Sequence, residues 1–113
     1  MNTLGMLGEE LIESHLIERG HRILARNLRI RKDEIDIVSF KDGVHYIVEV
    51  KCTRLDTGVS PGQQMTHNKR HTFERAAMRY YRKFRVKRFK LLFAEVVLDE
   101  GDHTISIAVT RYS

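Results

Sequence analysis

The amino-acid sequence predicts one α/β domain, residues 1–113, built from two helices and five strands in the order α-β-β-β-α-β-β. Three observations carry this expectation. Apolar residues recur at three-to-four spacing in two segments and alternate in the others. An Asp-Gly pair separates two runs rich in Ile and Val, the pattern of a tight hairpin. The single Pro and a cluster of small polar residues fall together between the third strand and the second helix.

Leu4, Leu7, Leu11, Ile12 and Leu16 predict a helix over about residues 3–19, with Gly20 suited to cap its C-terminus. From His21 the period changes. Ile23, Ala25, Leu28 and Ile30 alternate with polar residues and predict a first strand, irregular near Asn27. Glu34–Lys41 and Val44–Cys52 are the second and third strands, joined by Asp42-Gly43, and Thr53–Gly62 is expected to be a loop. A second helix is expected over Gln63–Phe84, with Phe73, Ala77, Tyr80 and Phe84 on one face and Arg75, Arg79 and Arg82 on the other. Phe89–Leu98 and Thr104–Thr110 close the chain as a hairpin around Asp99-Glu100-Gly101-Asp102.

Composition narrows the function. With 42% hydrophobic residues, 113 positions build one core without disulfide or metal staples. A single cysteine, Cys52, excludes an intramolecular disulfide framework and fits a reducing compartment. No run approaches the roughly 18 apolar residues of a membrane span. Glu9, Glu10 and Glu13 interrupt the N-terminus where a secretory signal needs an apolar stretch, so a cytoplasmic setting is expected. The net charge of +5 is unevenly placed: residues 63–90 carry +9, leaving −4 for the rest of the chain. Such concentration points to an anionic partner.

The hairpin carries the chemistry. If Asp42 and Gly43 are the turn residues, Lys41 pairs with Val44, Asp36 faces Glu49 and Glu34 faces Lys51. Alternation then places Glu34, Asp36, Val38, Phe40, His45, Ile47, Glu49 and Lys51 on one face, and Ile35, Ile37, Val48 and Val50 on the other. Apolar residues on both faces mean that both are covered. Opposed carboxylates about 4.5–5.5 Å apart at Cβ repel and call for positive charge between them. A hairpin acid pair is ordinarily a structural charge cluster. Here turn-set alignment, a lysine on the same face and apolar neighbours favour a divalent cation held by oxygen ligands, magnesium or manganese.

Asp36 followed by Glu49-Val50-Lys51 resembles the PD-(D/E)XK motif of metal-dependent nucleases. The wider pattern of Gly8-Glu9, Arg26-Asn27-Leu28-Arg29, Glu34-Ile35-Asp36-Ile37 and Val48-Glu49-Val50-Lys51 resembles the YraN family of endonuclease-like bacterial proteins, and Lys69, Phe73, Ala76, Ala77 and Tyr80 continue it. That family is itself similar to archaeal Holliday-junction resolvases. The resemblance implies a restriction-endonuclease-like core, a mixed sheet flanked by helices, with Asp36 and Glu49 as metal ligands, Glu9 as a helix-borne acid and Lys51 orienting the attacking water. Glu34 and Asn27 would be accessory. Asp33 stands where the family usually has glycine, and the family's arginine-x-aspartate survives only as a region around Phe93 and Glu95.

The expected activity is structure-selective hydrolysis of DNA phosphodiesters, branched DNA included, in repair or recombination, by a homodimer. Lys69, Arg75, Arg79, Arg82, Lys83, Arg85, Lys87 and Arg88 would bind the backbone electrostatically. The alternatives are a nuclease-fold DNA-binding or adaptor protein that does not cut, and a protein-interaction domain. His67 and His71 lie four apart but lack a third ligand for zinc, and read as surface residues. Cys52 is expected to pack into the sheet, and Tyr80, Tyr81 and Phe84 to belong to the core more than to a base-stacking platform.

Overall fold

The computed structural model of the chain describes residues 3–55 and 67–112. Its elements are α1 (Leu4–Glu18), β1 (Arg22–Ile30), β2 (Asp33–Lys41), β3 (Val44–Arg54), α2 (His67–Phe84), β4 (Phe89–Leu98) and β5 (Thr104–Arg111), the order expected. The five strands form one sheet in sequence order, antiparallel except for the parallel β3–β4 pair. A parallel pair needs a long crossover, and the segment containing α2 supplies it.

Local chemistry sets the boundaries. Thr3 caps α1 by accepting a hydrogen bond from the Met6 N–H, and Gly20, at φ +91°, ends it as the His21 N–H reaches back to the Leu16 carbonyl. Asp42 (φ 52°) and Gly43 (φ 79°) both adopt the left-handed backbone that a type I′ hairpin requires, and Lys41 pairs with Val44 as expected. Two expectations are corrected: β3 runs on through Thr53 and Arg54, which were assigned to a loop, and β5 ends at Arg111. The rest of that loop beyond Leu55 and the first turn expected for the second helix, residues 63–66, lie outside the described residues.

The sheet is covered on both faces. Ile12 and Leu16 of α1 pack on Ile37, Val48, Leu92, Ala94, Val96 and Leu98. Phe73, Ala76, Ala77 and Tyr80 of α2 pack on Ile30, Ile35, Val38, Ile47 and Leu91 of the opposite face. A fully buried Leu, Ile or Phe contributes about 1.5–3 kcal/mol, so these two layers supply most of the driving force. Cys52 packs on the α1 side, as expected, beneath Gly8. Tyr80 is core as expected, whereas Tyr81 and Phe84, expected to join it, are exposed near the end of α2. No helix among the described residues is long and apolar enough to cross a membrane.

One expectation about β2 fails in an informative way. Ile35 and Val38 both pack on the α2 side, while Ile37 packs on the α1 side. Strict alternation is therefore interrupted between Ile35 and Ile37, and Ile35 does not share a face with Ile37. Pairing is interrupted at the same place. The β1–β2 register passes from Arg26–Ile37 to Leu28–Ile35, skipping Asn27 and Asp36, and the β2–β3 register ends at Ile37–Val48. Asn27, at φ 50°, is the irregular residue expected in β1, and a register shift between Ile23 and Ala25 adds a second irregularity.

Gly8 permits the close approach of α1 to β3. A Cβ there would lie 2.6 Å from Cys52 Cβ, which neither backbone can accept without moving. Gly8→Ala is expected to destabilise the domain by about 1–3 kcal/mol despite alanine's better helix propensity. Urea unfolding checks this, and a variant as stable as the wild type would show that α1 is free to shift.

Candidate functional site

The break in β2 is where the acids meet. Freed from the ladder, Asp36 Oδ2 accepts a hydrogen bond from the Val50 N–H at 2.8 Å, so the aspartate side chain bridges the two strands where backbone pairing stops. Asp36 and Glu49 line one cavity of about 420 Å³ together with Glu34, Asn68, Lys69, Thr72 and Phe73. The carboxylates expected to face each other thus open on a common space between the hairpin and the first turns of α2. Glu49 is only 7% exposed, and Lys69 Nζ holds it at 3.0 Å.

Electrostatics follow from that geometry. Burial, then repulsion from Glu49, pushes the Asp36 carboxyl up to about 7 against the hydrogen bond from Val50. Burial also raises Glu49, opposed by its hydrogen bond from Lys69, while Glu9 raises it further. The Lys69 ammonium is raised in turn, first by its bond to Glu49. Glu9 therefore acts on the site from α1, as expected, although its own carboxylate is bound to Arg26 at 3.3 Å, and Arg26 also holds Glu13 at 3.0 Å. Glu34 borders the cavity and pairs with Arg29 at 3.6 Å across the β1–β2 pair, so it does not face Lys51 in an ion pair.

Lys51 departs from expectation. Its side chain is exposed, does not line the cavity, and forms no ion pair among the described residues. The lysine inside the cavity is Lys69, assigned from sequence to the DNA-binding face. Asn27 is exposed at the register position opposite Asp36.

The cationic helix face is also divided. Arg75 grips Asp33 with Nε at 2.9 Å and Nη2 at 2.7 Å, and Arg79 Nη1 adds a third bond at 2.8 Å. Asp33 is 4% exposed, and the guanidinium bonds hold its carboxyl below the usual range. Arg75 and Arg79 therefore anchor α2 to the start of β2 and are not an unengaged backbone-binding surface. Arg82, Lys83, Arg85, Lys87 and Arg88 are exposed, as expected. His67 and His71 are exposed too. The sequence analysis does not single out Asn68 or Thr72, and it marks Asp33 only as a residue standing where glycine is usual. The signal for Asp33 was an acid at a β-turn in a chain whose later helix has two arginines four residues apart.

Asp36 and Glu49 fit a hard dication. Magnesium is commonly held by one or two carboxylates, with water and substrate phosphate completing its shell. Among the described residues no group of three acidic, histidine or cysteine side chains forms an ion cage. Two converging carboxylates, both raised by burial, match that magnesium pattern.

Comparison with known proteins places the chain in a bacterial group. The sequence model described as "Uncharacterised protein family UPF0102" matches residues 8–96. A UPF0102 protein of Chlorobaculum tepidum is 40% identical over 78 residues, 68% of this chain and 60% of that protein. One from Corynebacterium efficiens is 40% identical over 88 residues, 73% of this chain and 71% of its own length. A Clostridium tetani protein is 29% identical over 110 residues, covering 96% of this chain and 90% of the relative.

Asp33, buried, and Asp36, half-buried, give opposite pH signatures. Asp33 is depressed, so its contribution is complete above about pH 4 and is lost as pH falls through its folded value. Asp33→Ala is expected to cost about 2–3 kcal/mol at pH 7 in urea unfolding, since it strands two half-buried arginines. Asp36 is raised from 3.8 to about 7. Between those values the folded state keeps a proton that the unfolded chain has released, so stability falls as pH rises across that window. Asp36→Asn is expected to equal the wild type near pH 4 and exceed its Tm near pH 8. Magnesium at pH 8 should raise the Tm of the wild type and leave that of the variant unchanged.

Proposed function

This chain belongs to the Uncharacterised protein family UPF0102, and from its site we propose that it is a divalent-metal-dependent endonuclease-like protein that hydrolyses DNA phosphodiesters. The convergence of Asp36 and Glu49 on one half-buried cavity beside a cationic helix carries this reading. The likeness of Asp36 and Glu49-Val50-Lys51 to the PD-(D/E)XK motif supports it independently. We extend the proposal to selectivity for DNA structure over sequence, to repair or recombination of branched DNA, to a cytoplasmic setting and to a homodimer, whose two-fold symmetry would match paired cuts.

In this mechanism Asp36 and Glu49 would hold magnesium or manganese. Such an ion, when bound, supplies a water of lowered pKa and neutralises charge on the scissile phosphate. The Val50 N–H fixes the Asp36 carboxylate, so one ligand is preset by the backbone of the strand that bears the other. Lys69 keeps a positive charge at the cavity wall where charge develops on the phosphate oxygens. The motif would give Lys51 the water-orienting role, against its exposed position outside the cavity. Glu9 and Glu34 add negative potential that favours a dication over a second lysine.

A specific observation favours a second reading, a DNA-binding or adaptor protein that does not cut. Lys69 already neutralises Glu49, and Lys51 stands outside the cavity. The two readings separate on incubation of linear, single-stranded and branched DNA with magnesium or manganese. Metal-dependent cutting that falls about 100-fold or more in both Asp36→Ala and Glu49→Ala is the expected result. Retained binding with no cleavage of any substrate would establish the adaptor.

A further inference from the structure

A second cavity, of about 560 Å³, lies away from the carboxylates and is lined by Ile30, Arg31, Arg79, Arg82 and Lys83. Four of its five lining residues are cationic and none is acidic. Two elements build it: Arg79, Arg82 and Lys83 come from the later turns of α2, and Arg31 from the two-residue turn that joins β1 to β2. Arg31 takes a left-handed backbone at φ 57°, a conformation that is unfavourable for a residue bearing a long side chain. Arg79 is fixed in place by Asp33, whose one carboxylate is already shared with Arg75. Asp33 thus compensates Arg79, and among the described residues no acid lines the cavity beside Arg31, Arg82 and Lys83.

A solvated helix face does not account for this arrangement. Exposed helical cations ordinarily spread outward on a convex surface. Here a separate turn brings a fourth cation to the same concavity, over a floor made by the buried Ile30. We infer that this cavity is a phosphate-binding site that takes a nucleic-acid phosphate, displaced along α2 from the carboxylate cavity. Guanidinium groups suit it, because their planar donor forks match phosphate oxygens.

The displacement has a scale. The carboxylate cavity takes residues 68–73 of α2 and the cationic one residues 79–83. Between the midpoints of those stretches about ten helical residues rise roughly 15 Å. Phosphates along one strand of a duplex advance about 3.4 Å each, so a strand running along α2 would span the two cavities with about four or five nucleotides. The site therefore deepens the proposed function by giving the substrate a second fixed point, and in that respect it rests on that reading.

The test is DNA binding measured by fluorescence anisotropy in EDTA, across a salt series, so that cleavage cannot contribute. The full chain is compared with an Arg31→Gln/Arg82→Gln/Lys83→Gln variant, which leaves Arg79 to hold Asp33. A charge-matched control, Arg19→Gln/Arg22→Gln/Lys41→Gln, lies at the opposite end of β1 and β2. Arg31→Gly removes one cavity charge while relieving the left-handed backbone, so a loss of binding at unchanged Tm does not reflect unfolding. The cavity variant is expected to bind at least about tenfold more weakly at low salt, with the slope of log affinity against log salt reduced by about one per lost phosphate contact. Arg31→Gly should shift in the same direction, and the control should keep the wild-type slope.

Duplexes with a 5′-phosphate or a 5′-hydroxyl distinguish the source of the ligand. A loss confined to the phosphorylated duplex identifies a terminal phosphate, and an equal loss on both identifies an internal one. A cavity variant with the wild-type slope, or a control that loses as much, overturns the site, as does a wild type that binds no DNA at low salt. Absence of cleavage in the separate metal assay overturns hydrolysis alone and leaves the phosphate site standing.

Discussion

Two carboxylates in one half-buried cavity are an electrostatic cost that the rest of this structure is arranged around. Asp36 and Glu49 each lose water, Glu49 makes ionisation of Asp36 harder, and Glu9 opposes ionisation of both. Replacing one of them by an apolar residue would relieve the cavity of this burden. The fold instead holds them together: the Asp42-Gly43 turn sets the strand register, the break in β2 frees Asp36 from the ladder, and the Val50 N–H fixes it across the gap. Lys69 offsets part of the charge from α2. Stability given up locally in this way is characteristic of a site built for a ligand.

Holding α2 in register with that cavity is the task of Asp33. Its three bonds to Arg75 and Arg79 tie the middle of the helix to the beginning of β2, three residues before Asp36. The apolar face of α2 supplies the packing energy, but a hydrophobic stripe slides at little cost, whereas a bidentate guanidinium–carboxylate pair fixes position. On the far face, Gly8 allows α1 to settle directly on Cys52. The hairpin is therefore gripped from both sides, and its two acids are presented between rigid layers.

The same organisation separates the cations by role. Lys69 belongs to the carboxylate cavity, Arg75 and Arg79 to the Asp33 anchor, and Arg82 and Lys83 with Arg31 to the second concavity. A helix that reads as one cationic face thus divides its cations among three surroundings along its length. Neutralising Asp33 with two arginines leaves a surplus of positive charge near the β1–β2 turn.

Much of this was legible in the chain itself. Period, turn chemistry and the Asp-Gly pair determined the element order, the hairpin register through Ile37–Val48 and the choice of Asp36 and Glu49, because each depends on residues close in sequence. The interruption of alternation at Asp36 was not legible, since it arises from two neighbouring strands failing to pair at one point. Nor was the exchange of Lys51 for Lys69 as the lysine in the cavity, or the engagement of Arg75 and Arg79 by Asp33. Those contacts join residues 20 or more positions apart, and only the packing of α2 across the sheet decides which charged side chain reaches which acid.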